Sequence, residues 1–280
     1  MSGIQMYWWD DRSYGSNFGD AVSPRIVKAL SKQRIHKLKA GSTPRVLAVG
    51  SILKWAQPGD QIWGSGHAVM GHPTDPGVHV FAVRGPLTRA ALLATGIRCP
   101  DTYGDPALLL PMLYGPREPE RRYRVGVIPH YIDQAKAKEV LGDVLEREDV
   151  LYIDILSGSD NVIDALCSCD LVVSSSLHGI VVADAYRIPS IWVEFSDQVV
   201  GGGMKFRDYY LSLRDDFAEA LDWREAADLT AAEMHASLSS EDRLREVQLD
   251  LLASAPFPIV YEDIADVAPH QGWIDTWDEA

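Results

Sequence analysis

Short apolar runs bounded by polar and turn residues alternate along most of this chain with stretches whose apolar positions recur at helical spacing. The runs predict strands at 5–9, 45–49, 61–63, 79–83, 124–128, 151–155, 171–174 and 190–195. The helical spacing predicts helices over 20–31, 86–95, 133–146, 160–168 and 179–188, several with a proline just inside or just beyond an end. Such β-α alternation implies an α/β fold of parallel sheets covered by helices. A charged, proline-rich segment at 114–123 interrupts it and reads as a linker. The expected units are 1–118, 119–255 with a C-terminal helix over 240–253, and an acidic tail at 256–280 that carries Trp273 and Trp277.

The net charge of −14 changes what the ligand site must look like. An anion can be held only by a local basic pocket working against the overall field, and nucleic acid is excluded as a partner. Cys99, Cys167 and Cys169 are too few and wrongly spaced for a disulfide framework or a zinc site, and read as small core residues in a reducing compartment. With no leader pattern and no apolar run long enough to span a bilayer, the expected location is the cytoplasm.

In open α/β sheets ligands sit beyond the carboxyl ends of the strands, so the residues that follow each run are the ones to inspect. The most telling is Ser174-Ser175-Ser176-Leu177-His178-Gly179, where a strand turns into a helix. Helix N-termini carry unpaired amides and partial positive charge, so the amides near Leu177 to Gly179 and the serine hydroxyls suit a phosphate or carboxylate. The plainer alternative is that one serine caps the helix and His178 packs. Arg84 ends a strand just before Pro86 opens a helix, so its guanidinium is expected in the same cleft, with a salt bridge as its alternative use. Gly201-Gly202-Gly203 reads as a mobile flap carrying Lys205 and Arg207, two cations able to close over an anion. Trp9 and Tyr14 offer flat surfaces for a sugar, although adjacent Trp8 and Trp9 on a strand point to opposite faces. No metal-ligand spacing is present at Asp10-Asp11 or among His67, His72 and His79, and no G-x-G-x-x-G or Walker pattern occurs.

Asn17-Phe18-Gly19-Asp20, Gly64-Ser65-Gly66, Val83-Arg84-Gly85-Pro86, Gly104-Asp105-Pro106-Ala107, Ile128-Pro129-His130-Tyr131 and Ser175-Ser176-Leu177-His178-Gly179 follow one another in an order and spacing that resembles the polysaccharide pyruvyl transferase family. The likeness runs from about Tyr7 to Tyr210 and is nearest to the exopolysaccharide ketal-pyruvate transferase branch. It implies two Rossmann-like domains facing a central cleft, as in GT-B glycosyltransferases, with the acceptor on the N-terminal side and the donor on the C-terminal side. The implied reaction moves the pyruvyl group of phosphoenolpyruvate onto two hydroxyls of a sugar as a cyclic ketal and releases phosphate. The sugar belongs to an exopolysaccharide or its lipid-linked precursor, and no cofactor or metal is needed.

On this resemblance Arg84 binds phosphoenolpyruvate and the Leu177-His178 turn holds it. His178 is the expected acid with His130 as alternative, and Asp20 orients or deprotonates the sugar unless it serves as a cap. Ser175, Ser176, Gly179, Asn17 and Gly66 complete the expected contacts. Several family members carry arginine where this chain has Ser176, so either Lys205 or Arg207 supplies that cation or the donor preference has changed. Two other functions fit the architecture: a nucleotide-sugar glycosyltransferase, and a non-catalytic carbohydrate-binding member of an export assembly. A lipid-linked acceptor would place the protein at the inner membrane face, with peripheral association at most, and a homo-oligomer is compatible with the sequence.

Overall fold

Strands form where β-branched and aromatic residues run together, and two sets of them build two separate sheets. In the computed structural model of the chain, residues 3–9, 17–38, 41–42, 44–117, 120–214, 219–261 and 272–273 are described. The first sheet comprises β1 (Ile4–Met6), β2 (Ile35–Lys37), β3 (Val46–Leu47), β4 (Gln61–Trp63) and β5 (His79–Ala82), with helices α1 (Phe18–Ser31) and α2 (Pro86–Ala94). A 3-10 helix over Pro106–Met112 and the short strand β6 (Tyr114–Gly115) lead to the second half. There lie β7 (Tyr123–Ile128), β8 (Val150–Tyr152), β9 (Cys169–Ser174), β10 (Ser190–Glu194) and β11 (Leu221–Asp222). Its helices are α3 (Gln134–Leu141), α4 (Ser159–Cys167), α5 (Leu177–Ala185), α6 (Met204–Leu213), α7 (Leu229–His235) and α8 (Glu241–Ala253), and β12 (Gly272–Trp273) pairs antiparallel with β6.

The sheets run in the orders β2-β1-β3-β4-β5 and β11-β10-β9-β7-β8, and every pairing inside them is parallel. Counted within each half, both are order 2-1-3-4-5, the doubly wound arrangement whose strand order reverses between its first and third strands. The expected α/β fold is therefore present twice. The predicted strands and helices all appear, with ends shifted by a few residues. β2, β11, α6 and α7 add to them.

Three differences from the sequence reading matter. Gly201–Gly203 is a turn with positive φ throughout, but Lys205 and Arg207 lie on α6 rather than on a flap. Phe206, Tyr209, Tyr210 and Leu213 fall at helical spacing and are all buried, which anchors that helix. The segment expected as a linker begins as β6, where the buried Tyr114 hydroxyl donates to Asp164 Oδ1 at 2.9 Å. Finally, Trp8 and Trp9 follow β1 instead of belonging to it.

The halves share one apolar core, in which α1, the 106–112 helix, α5 and α8 all take part. α5 is apolar all round and correspondingly buried. α8 packs back on the first half, where Trp63 Nε1 donates to the Leu251 carbonyl at 2.9 Å and Gln248 Nε2 to the Leu108 carbonyl at 2.7 Å. The tail stays with it through Phe257, whose ring meets Trp63 edge-on at 5.2 Å.

One ion pair joins α6 to the first half. Arg84 lies 2.9 Å from Asp208 and both side chains are wholly buried. Thr88, in the first turn of α2, donates to the same carboxylate from its amide at 2.9 Å and its hydroxyl at 2.6 Å. Removing one member of a buried pair strands the other charge, at a cost of about 3–5 kcal/mol. Asp208→Ala is therefore expected to lower the unfolding free energy by about that amount in urea titrations. A loss under about 1 kcal/mol would show that the pair does not hold the halves together.

Candidate active site

The residues that follow the strands of both sheets come into contact. After β9 the chain turns at Ser174–Ser176 into α5. Ser174 Oγ sits 2.8 Å from both the Ile128 and Ser176 carbonyls and accepts the Ser176 amide at 3.0 Å. A side chain at Gly179 would place its Cβ 2.3 Å from that oxygen, so glycine is required there. Ser175 Oγ donates to Asp133 Oδ2 at 2.7 Å and accepts the His130 amide at 2.9 Å, which ties the β7 and β9 ends together. Ser196, after β10, donates to the other oxygen of Asp133. Two of the three serines thus build the turn instead of pointing at a ligand. Ser176 is the N-cap residue but its hydroxyl caps nothing, and Leu177 is a core side chain. The first-turn amides of Leu177 and His178 have no helical acceptor, which leaves the α5 N-terminus open to an anion.

His178 reaches across to the first half. Its ring lies over Gly19, where a Cβ would come within 2.0 Å of His178 Cε1, and tilts against Phe18 at 6.3 Å between centroids. Its Nε2 is 3.6 Å from Asp105 Oδ2. Asp20 is in the first turn of α1, so it does not cap that helix, and Asn17 Nδ2 donates to it at 2.8 Å. Asn17 occupies the N-cap position without a side-chain cap bond.

Three cationic groups were expected here, and the structure treats them differently. The Arg84 guanidinium is committed: besides Asp208 it donates to Ser51 Oγ and to the His67 carbonyl, each at 2.7 Å, and Gly66 packs on it. The salt-bridge alternative is the one observed. Arg207 donates to the Gly202 carbonyl at 2.8 Å and lies over the Trp192 ring, beside a cavity of about 460 Å³ also lined by Asp133, Ser175 and Arg224. Lys205 is the cation left at the centre. Burial, followed by the charge of Arg84, pushes its ammonium down to about 8, partly offset by Asp133. His130 is pushed down to about 2 by burial, then by Lys205 and His178, so it is neutral at ordinary pH. Its Nδ1 accepts the Ile132 amide at 3.3 Å. These shifts place His130 within electrostatic reach of both Lys205 and His178.

Trp9 is exposed and stacks on Trp55 at 4.5 Å, and among the described residues it makes no contact with this cluster. Tyr14 lies outside the described residues. Sequence reasoning missed Asp133 and Asp208, the carboxylates that organise the turn and Arg84. The helical spacing of Phe206, Tyr209, Tyr210 and Leu213 was the available signal for Asp208.

The family model described as polysaccharide pyruvyl transferase matches residues 74–198. Over that stretch the chain is similar to the polysaccharide pyruvyl transferase family. The matched span holds Arg84, Asp105, His130 and the 174–179 turn, while Asp20, Lys205 and Asp208 lie outside it. The chain is 34% identical over 172 residues to an uncharacterized protein of Acanthamoeba polyphaga mimivirus, covering 59% of each. It is 27% identical over 154 residues to the succinoglycan biosynthesis protein ExoV of Rhizobium meliloti, covering 54% of this chain and 46% of that protein. The chain thus spans about half the length of these relatives. Among the described residues no helix is long and apolar enough to cross a membrane.

The packing of His178 on Gly19 can be tested as a coupling. Gly19→Ala should cost about 1–3 kcal/mol in urea unfolding, the usual range for overpacking. In a His178→Ala background the same change should be neutral or stabilising, because alanine favours the helix. An equal loss in both backgrounds would place the ring elsewhere.

Proposed function

We propose that this protein transfers the pyruvyl group of phosphoenolpyruvate to a sugar residue of an exopolysaccharide or its lipid-linked precursor, forming a cyclic ketal and releasing phosphate. The observation that carries the reading is the family match over 74–198, whose span holds the very residues that follow the strand ends in the site. The name of the second relative, a succinoglycan biosynthesis protein, supports a polysaccharide acceptor. A GT-B-like pair of Rossmann-like domains is part of this reading, supported by the repeated strand order and by the packing of α8 back on the first half.

The chemistry needs an acid, a base and cations. Protonation of the phosphoenolpyruvate methylene leaves C2 electrophilic, one sugar hydroxyl adds there, and a second closes the ketal as the C–O bond to phosphate breaks. Of the two hydroxyl protons, one balances the new methyl group and the other leaves with phosphate. In this scheme the donor anion lies between the α5 N-terminus and Lys205, where charge-assisted hydrogen bonds are worth about 1.5–3 kcal/mol each. Arg84 acts from behind Lys205 by fixing α6 and adding positive potential. His178 is the acid, because His130 is held neutral and serves as a hydrogen-bonding wall. Asp20 faces the acceptor hydroxyls as orienting group or base.

Two measurements test this. Phosphoenolpyruvate at about 100 times its dissociation constant should stabilise the protein by about 2.7 kcal/mol in thermal unfolding, while nucleotide sugars should leave the midpoint unchanged. Stabilisation by a nucleotide sugar alone would favour the glycosyltransferase reading instead. The lysine adds a pH signature. Its folded value lies below its ordinary one, so an anion that needs the ammonium should bind about tenfold more weakly per pH unit above about 8. Titration calorimetry from pH 7 to pH 9.5 should show this in the wild type, and Lys205→Ala should flatten the profile at weaker affinity. A flat wild-type profile would remove Lys205 from the donor site.

A further inference from the structure

We propose that Asp105 is the positioning residue of His178: its carboxylate receives the Nε2 proton and leaves Nδ1 as the nitrogen that exchanges a proton with a ligand. The catalytic consequence rests on the pyruvyl-transfer reading; the proton placement does not.

Asp105 is wholly buried, and its two oxygens have different duties. Oδ1 caps the 106–112 helix by accepting the Ala107 amide at 2.9 Å. Among the described residues Oδ2 has no hydrogen-bond partner although it is buried, and the same holds for His178 Nε2, 3.6 Å away. Of the two ring nitrogens of His178, only Nε2 is both buried and unpartnered. A buried carboxylate oxygen without a donor is costly, and the donor within reach is an Nε2 proton. The separation is that of an ion pair and long for a hydrogen bond, as ligand-free catalytic contacts commonly are before binding draws them in. The imidazole packs so closely on Gly19 that a side chain there would clash, so the glycine bounds the ring on one side while the carboxylate sets the tautomer.

The test uses the full chain without ligand. Nitrogen-15 spectra of the histidine ring nitrogens, with the His178 signals assigned by their loss in His178→Gln, should show the neutral ring protonated on Nε2. Asp105→Asn keeps an oxygen for the Ala107 amide but can turn an N–H₂ toward the ring, so the proton should move to Nδ1. Protonation on Nδ1 in the wild type, or averaging between tautomers, would overturn the proposal. So would an unchanged tautomer in a folded Asp105→Asn protein. Should that variant not fold, the wild-type spectrum decides. In turnover, Asp105→Asn is expected to lower kcat by about 10²–10⁴-fold with little change in KM for phosphoenolpyruvate, a split that loss of the cap alone would not give. A wild-type protein inactive with phosphoenolpyruvate but protonated on Nε2 would refute the functional reading and leave this one standing.

Discussion

The buried contact between Arg84 and Asp208 is the constraint on which the site depends. Taking two charges out of water is expensive, and such a pair is retained more readily for the geometry it imposes than for net stability. Here the geometry is clear. Arg84 comes from the end of the first sheet and Asp208 from α6 in the second half, and Thr88 adds two donors, so the carboxylate is fully engaged. Lys205 lies three residues before Asp208, on the same helical face, so fixing Asp208 fixes the lysine. The positive charge of Arg84 then acts on the ammonium it has helped to place. An arginine that looks like a ligand-binding group in the sequence is thereby committed to holding the helix that carries another cation.

Much of the fold was legible because its strands are continuous apolar runs, as parallel strands covered on both faces must be. The repeated 2-1-3-4-5 order was not legible, since nothing in the residues of β2 or β11 distinguishes them from loops: the first reads Ile-His-Lys and the second is two residues long. That order locates the site. The strand order reverses between β1 and β3 in one sheet and between β7 and β9 in the other. His130 follows β7 and the Ser174–Gly179 turn follows β9, and Asn17 with Asp20 follows β1. The strand-end rule therefore picked out positions that the topology makes adjacent, without knowledge of that topology.

Partners were harder to find than positions. Forty acidic residues leave the sequence no means to choose which carboxylate faces which polar group. Three of them decide the site: Asp133 binds two serines, Asp208 holds Arg84, and Asp105 faces His178. Each pair joins residues more than 40 positions apart, and only folding supplies that proximity. The triple glycine before α6 misled for a related reason. It signals a flexible hinge locally, yet the four buried apolar residues that follow it at helical spacing outweigh that signal.

The electrostatic pattern follows from these pairings. In a chain of net charge −14, an anion site has to be built from cations whose own charge is kept from being neutralised by nearby acids. Around Lys205 the acids are sequestered. Asp133 is occupied by hydroxyl donors and Asp208 by Arg84, so neither is free to pair tightly with Lys205. The lysine keeps unspent positive charge, and burial makes that charge costly enough to be relieved by an incoming anion. His130, desolvated beside it, stays neutral and adds no competing proton. The remaining histidine is the one that faces a carboxylate. The two imidazoles thus stand in different surroundings, His130 desolvated beside a lysine and His178 against a carboxylate.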